Sequence, residues 1–188
     1  MTDGTNLTNQ LLVAMPSLAD PNFNQAVALI CEHSTDKGAL GIVVNKPLPM
    51  TLSEVLSQMR LEASDVAIGA RSVLRGGPVH KDRGFVVHRP GGEWDSSHVV
   101  SGQIQVTTSR DVLEAMARGE GPRDAFIALG YAGWGAGQLE QELLDNAWLS
   151  LPLDEAIVFE TPFEERWHAV WRRLGIDVNR LSNQAGHA

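Results

Sequence analysis

Apolar residues along this chain come in short runs cut by glycine, proline and polar clusters, and their spacing switches several times between period two and period 3.6. Residues 11–15 read as a strand closed by Pro16; 26–33 and 39–45 read as two more, joined as a hairpin through 34–38. Pro47 and Pro49 are expected to stop the sheet there. A helix opens at Thr51, where Thr51 and Glu54 form a capping box, and Leu52, Val55, Leu56 and Met59 give it a core-facing stripe. Residues 73–75, 85–88 and 103–107 are strand-like, and a second helix, capped near Thr108 or Ser109, carries Val112, Leu113 and Met116. A short buried strand over 125–129 meets a glycine-dense turn over 130–137, then a helix from Gln138 to about Asn146. The last strand is predicted at 156–159. Thr161, Pro162 and Glu164 supply a cap, a first-turn proline and a capping-box acid for a final helix lined by Phe163, Trp167, Val170, Trp171 and Leu174. Hairpins early and helices between strands later favour an α+β class over a regular doubly wound sheet.

Length and composition narrow this picture. A chain of 188 residues with 43% hydrophobic content can bury its own core as a single domain, residues 1–188, with a short flexible tail over about 1–6. The single cysteine, Cys31, excludes an intrachain disulfide and any Cys-x-x-Cys chemistry, and it fits a reducing, cytoplasmic setting. The longest apolar run, 26–31, is far shorter than a bilayer requires, so no membrane association is expected. Six histidines include no His-Glu-x-x-His, and no metal or other cofactor is implied.

Net charge is −8, yet Arg71, Arg75, Lys81, Arg83 and Arg89 face only Asp82 within 71–89, a local +4. Such a strip either covers a solvated sheet face or receives a small anion or acidic partner. Gly76, Gly77 and Pro78 beside it remove side-chain bulk, so a ligand or a neighbouring backbone can come close. Asp82 and Arg83 could pair structurally; alternatively Arg83 offers a fork to carboxylate or phosphate, with His88 or Asp82 exchanging a proton. The turn made of Gly130, Tyr131, Ala132, Gly133, Trp134, Gly135, Ala136 and Gly137, followed by Gln138, has the strand-to-helix context of an anion cradle. It matches neither the dinucleotide fingerprint, which needs glycine where Gln138 stands, nor a nucleophile elbow, which would put Gly135 at the nucleophile. Close backbone packing with Trp134 as a plug, or a ligand-lining turn covered by that indole, are the two readings left. Cys31 and His33 share a strand face by alternation, although Cys31 closes the most apolar run and reads as a buried hydrophobe. Direct DNA binding is not expected: the best helix-turn-helix candidate, 138–159, carries five carboxylates, no Lys or Arg, and Pro152.

Several of these stretches together resemble the YqgE/AlgH family of bacterial proteins. They are Leu12-Val13-Ala14-Met15-Pro16 with Asp20-Pro21-Asn22-Phe23; Gly41-Ile42-Val43-Val44-Asn45-Lys46-Pro47; Gly76-Gly77-Pro78-Val79 with Asp82-Arg83-Gly84-Phe85-Val86-Val87-His88; Thr108-Ser109-Arg110-Asp111; and Leu129-Gly130-Tyr131-Ala132-Gly133-Trp134 through Gly137-Gln138-Leu139-Glu140. The C-terminal Leu181-Ser182 to Ala185-Gly186-His187-Ala188 fits as well. The resemblance implies one cytosolic α+β domain with a mixed, partly barrel-like sheet flanked by helices. It brings no catalytic residues and no cofactor, and some members are named as regulators of alginate synthesis, which implies an indirect role in transcription. The candidate surface it suggests is Asn45 and Lys46; Gly76, Gly77 and Pro78; Asp82, Arg83 and His88; and 130–140. The expected function is a non-catalytic module binding a small anionic metabolite or a protein partner, the oligomeric state being left open. The alternative is an enzyme acting on a small anionic substrate, with His88 or Asp82 as acid/base and Arg83 as anchor.

Overall fold

A computed structural model describes residues 5–184; the start of the expected tail and residues 185–188, with His187, lie outside the described residues. In chain order the elements are β1 (Gln10–Ala14), β2 (Val27–Ser34), β3 (Gly38–Val43), β4 (Pro47–Thr51), α1 (Leu52–Gln58), α2 (Val66–Gly69), β5 (Ser72–Arg75), β6 (Val79–His88), β7 (Ser97–Val99), β8 (Gln105–Thr107), α3 (Arg110–Ala117), β9 (Phe126–Trp134), α4 (Gln138–Leu144), β10 (Trp148–Pro152), α5 (Arg166–Arg173) and α6 (Val178–Gln184). The sheet runs β10-β1-β2-β3-β9-β6-β8-β7, with β5 also on β9 and β4 beyond it. Every pairing is antiparallel except β5 with β9. The result is an α+β domain whose mixed sheet curls into a half-barrel.

Side-chain alternation sorts the core into three clusters. Leu11, Leu29, Ile42, Phe85, Val87 and Val106 line the concave face, where Trp167, Val170 and Trp171 of α5 plug the interior. On the opposite face Leu12, Ile30, Ala132, Trp134 and Trp148 pack under α4. Leu52 and Leu56 of α1 and Val112 and Met116 of α3 cover Val73, Val86 and Ile127. The Thr51 box is present, with the Thr51 N–H donating to Glu54 Oε2 over 2.7 Å.

Several sequence expectations are corrected here. Pro47 and Pro49 do not end the sheet: they lie in β4, whose one strand partner among the described residues is β5, and an edge tolerates prolines because it need not donate on both sides. The glycine-dense turn is shorter than expected, since Gly130–Trp134 continue β9; Ala132 and Trp134 alternate with Tyr131 and Gly133 in strand register, and only 135–137 turn. The strand expected at 156–159 is instead one π-helical turn, Ala156–Glu160. Asp154 captures that segment by accepting from the N–H groups of Ala156 at 3.0 Å and Ile157 at 3.4 Å, a local cap that outweighs the β-branched pair Ile157-Val158. The final helix begins as a 3-10 turn, Phe163–Glu165, and becomes α-helical at Arg166. The helix-turn-helix candidate dissolves into α4, β10 and the π turn. A bulge after Ile30 breaks the alternation of β2, so Cys31 points into the concave core while His33 meets Leu7 and Glu140 on the other face.

Candidate functional site

The glycines carry the first geometric message. A Cβ on Gly76 would lie 2.3 Å from the Gly130 carbonyl oxygen, one on Gly77 2.1 Å from the Tyr131 carbonyl carbon, and one on Gly130 2.5 Å from the Gly77 oxygen. The two glycine motifs therefore meet backbone to backbone, and the Gly76 N–H donates to Leu129 O at 2.7 Å. Their contact forces a consequence on β6. Val79 pairs with Tyr131 and Gly84 with Leu129, so residues 80–83 are pushed out of the ladder as an exposed bulge carrying Lys81, Asp82 and Arg83.

That bulge aims Arg83 at a cleft. Its guanidinium lies 5.3 Å from the Phe85 ring centroid, on the concave side of the sheet. A hollow of about 250 Å³ opens there at the mouth of the half-barrel, lined by Cys31 and Glu32 of β2, Leu40 and Ile42 of β3, Arg83 and Phe85, and the β7–β8 residues 96–98, Val106 and Thr108. The floor is apolar and the rim polar. Ser96 and Thr108 hydroxyls lie 3.1 Å apart, and His98 Nε2 spans the mouth, 3.4 Å from Cys31 O and 3.9 Å from Glu32 Oε1. The Cys31 thiol is pushed up to about 12 by burial, with the Glu32 charge adding to it, which makes it an inert wall rather than a nucleophile. Among the described residues, Arg71, Arg75, Lys81 and Arg83 are in no ion pair, whereas Arg89 is taken up by Asp124 at 2.7 Å and Glu155 at 2.6 Å.

Of the expected site residues, then, Arg83 lines the cleft, and Tyr131 borders it through Phe85, 5.8 Å away. Gly76, Gly77 and Gly130 shape the bulge beneath it, with Pro78 in the connection; Asp82 stands exposed on the bulge without an ion pair to Arg83. The others are elsewhere. Asn45 is buried, accepting from the Val27 N–H and donating to Gln25 O, each at 2.8 Å, and Lys46, its pKa lowered by burial, donates to Asn24 O. Trp134 packs between Phe23 and Trp148 on the opposite face of β9 from Tyr131. Gly133 is exposed on the Tyr131 side of β9, paired with Leu40 of the cleft lining, whereas Gly135, Gly137 and Gln138 are exposed at the start of α4, where Gln138 Oε1 accepts from the Gly135 N–H.

His88 is fully buried. Arg89 O can only accept, so His88 Nδ1 carries the proton and donates to it at 2.7 Å, while Nε2 accepts from the Thr107 hydroxyl at 2.7 Å. Burial pushes its pKa down and keeps it neutral, outweighing the upward pull of that carbonyl. Sequence reasoning missed Ser96, His98 and Thr108 as cleft residues, because β7 and β8 are three-residue strands, with Ser96 just before β7 and Thr108 just after β8, and β7 has no apolar pattern to mark the pair. It also missed Arg166, a guanidinium buried under the aromatic face of the final helix. Among the described residues no three His, Cys, Asp or Glu side chains converge as a metal site would require, and no helix is long and apolar enough to cross a membrane.

A half-barrel α+β domain with a cation at the mouth of an apolar cleft is the class these observations define. Residues 11–179 match the AlgH-like family model. A UPF0301 protein of Thioalkalivibrio sulfidiphilus is 57% identical over 188 residues, all of both chains, and one of Stenotrophomonas maltophilia is 53% identical over 183 residues, 97% of each. The solution structure of the AlgH protein from Pseudomonas aeruginosa superposes with a TM-score of 0.79 at 47% identity, covering 100% of this chain and 99% of that one. A crystal structure from Corynebacterium diphtheriae shares the fold, with a TM-score of 0.72 at 20% identity over 92% of this chain and 90% of that one. The chain belongs to the AlgH-like family.

Proposed function

We propose that the protein is a non-catalytic binding module whose cleft holds a small anionic metabolite, with the Arg83 guanidinium as anchor. The supporting observation is that an exposed guanidinium in no ion pair among the described residues stands over an apolar hollow in a chain of net charge −8. Its planar fork suits carboxylate or phosphate, the Ser96 and Thr108 hydroxyls can turn to donate to remaining oxygens, and the apolar floor takes the body of the molecule. Regulation of transcription, if the module takes part in it, follows from occupancy read by a partner rather than from contact with DNA. The geometry lends no support to the acid/base alternative: both His88 nitrogens are committed to protein partners, and Asp82 points from an exposed bulge.

Thermal shift and calorimetry with phosphorylated and carboxylated metabolites test this reading. Binding is expected to weaken about tenfold or more in Arg83→Ala, to persist in Arg75→Ala, and to fall as salt rises. Equal binding by wild type and Arg83→Ala contradicts it.

A further inference from the structure

A second hollow, sharing no residue with the cleft, lies where the α1–α3 layer meets the final turn. It measures about 310 Å³ and is lined by Leu52, Ala70, Arg71, Ser72, Met116, Ala125, Phe126, Ile127 and Phe163. The rings of Phe126 and Phe163 stand 5.7 Å apart at 72°, giving two nearly perpendicular aromatic walls. Arg71 is the one charged residue of that lining; it is exposed and, among the described residues, in no ion pair.

Behind those walls sits Arg166. It is 3% exposed, its Nε donates to Thr161 O at 2.9 Å and its Nη1 to Val44 O at 2.8 Å, and its guanidinium carbon lies 4.4 Å from the Phe163 centroid and 5.1 Å from that of Phe126. No carboxylate among the described residues pairs with it, which is unusual for a buried charge. The hollow thus has one cation at its rim and a second behind its walls that is in no ion pair among the described residues, Glu164 acting on it only through space, and no acidic residue lines it. Positive potential over an aromatic slot of this size is complementary to a flat ring bearing one negative group.

We propose that this hollow binds a small aromatic carboxylate, its ring against Phe126 and Phe163 and its carboxylate on Arg71. The reading is independent of the Arg83 cleft. It is tested on the full chain by amide NMR and calorimetry with phenylacetate, using phenylacetamide as the uncharged isostere and hexanoate as a ringless acid. Phenylacetate should shift the amides of Arg71, Ser72, Phe126 and Ile127 saturably. Phenylacetamide, hexanoate and the exposed-site variant Arg71→Gln should each weaken binding, the uncharged pairings by about tenfold, while in Arg83→Ala the phenylacetate-induced shifts of Arg71, Ser72, Phe126 and Ile127 persist with the same midpoint. Absence of saturable shifts at those amides up to about 10 mM, equal binding of phenylacetamide or of hexanoate, or shifts confined to residues 96–108 and lost in Arg83→Ala would each overturn the proposal.

Discussion

Replacing Gly130 by alanine tests how the bulge that presents Arg83 is made. Gly130 has φ +79, and its new Cβ would stand 2.5 Å from Gly77 O, 3.1 Å from Val79 O and 3.3 Å from the Lys81 Cα, all of them backbone atoms. The left-handed conformation alone costs an L-residue about 1 kcal/mol. Relief of the clash requires β5 and its connection to β6 to move off β9, which stretches the Gly76 N–H bond to Leu129 O; one or two such bonds contribute about 1–2 kcal/mol together. The expected loss is therefore about 2–3 kcal/mol by urea denaturation. Gly137→Ala is the control, for it shares a φ of +76 but has nothing within 4 Å of the added methyl, so it should lose only about 1 kcal/mol. Equal losses for the two variants would refute the claim that the glycine motifs are a backbone contact. Retention of full ligand affinity in folded Gly130→Ala would refute the claim that this contact aims Arg83.

Three further outcomes follow from buried groups. Because the Cys31 pKa rises from 9.0 to about 12 on folding, the unfolded chain releases its proton first, and stability should fall by about 1.4 kcal/mol per pH unit above 9, a slope removed in Cys31→Ala; a native thiol that reacts with iodoacetamide as fast as the urea-unfolded one contradicts this burial. The His88 pKa is lowered, so the unfolded chain takes up a proton first as pH falls through about 6.5, and stability should decline on the acid side of that value, less steeply in His88→Gln; identical pH profiles for the two proteins would contradict it. Arg166→Met should cost about 2 kcal/mol less than Arg166→Ala in thermal or urea unfolding, because methionine refills the space between Phe126 and Phe163 and removes a charge that burial already disfavours, as its pKa, lowered to about 10, indicates; the reverse order would show that the guanidinium's hydrogen bonds outweigh its desolvation.

Much of the architecture was legible because strand alternation and capping are local signals. The hairpin of β2 and β3, the Thr51 box and the Trp167-Val170-Trp171 stripe all appear where periodicity puts them. What could not be read depended on long-range pairing. Residues 130–134 look like a turn in isolation, and only the partners at 39–41 and at Val79 make them a strand. Cys31 and His33 follow a period-two rule until a bulge breaks it. Arg83 drew attention through local charge, yet its companion His98 comes from a strand of three residues that carries no hydrophobic pattern, and Ser96 and Thr108 lie just outside β7 and β8. Trp134, flanked by glycines, suggested a movable cover, and the second core cluster holds it between Phe23 and Trp148.

The most direct measurement is an NMR titration of the protein with phenyl phosphate, observing the Arg83 side-chain Nε–H together with the amides of Ser96, His98 and Thr108. Concerted, saturable shifts of these four signals, with those of the three amides lost in Arg83→Ala, are what the cleft requires. Shifts confined to Arg71, Arg75 and Lys81, or none at all, would leave the Arg83 cleft without an anion to hold.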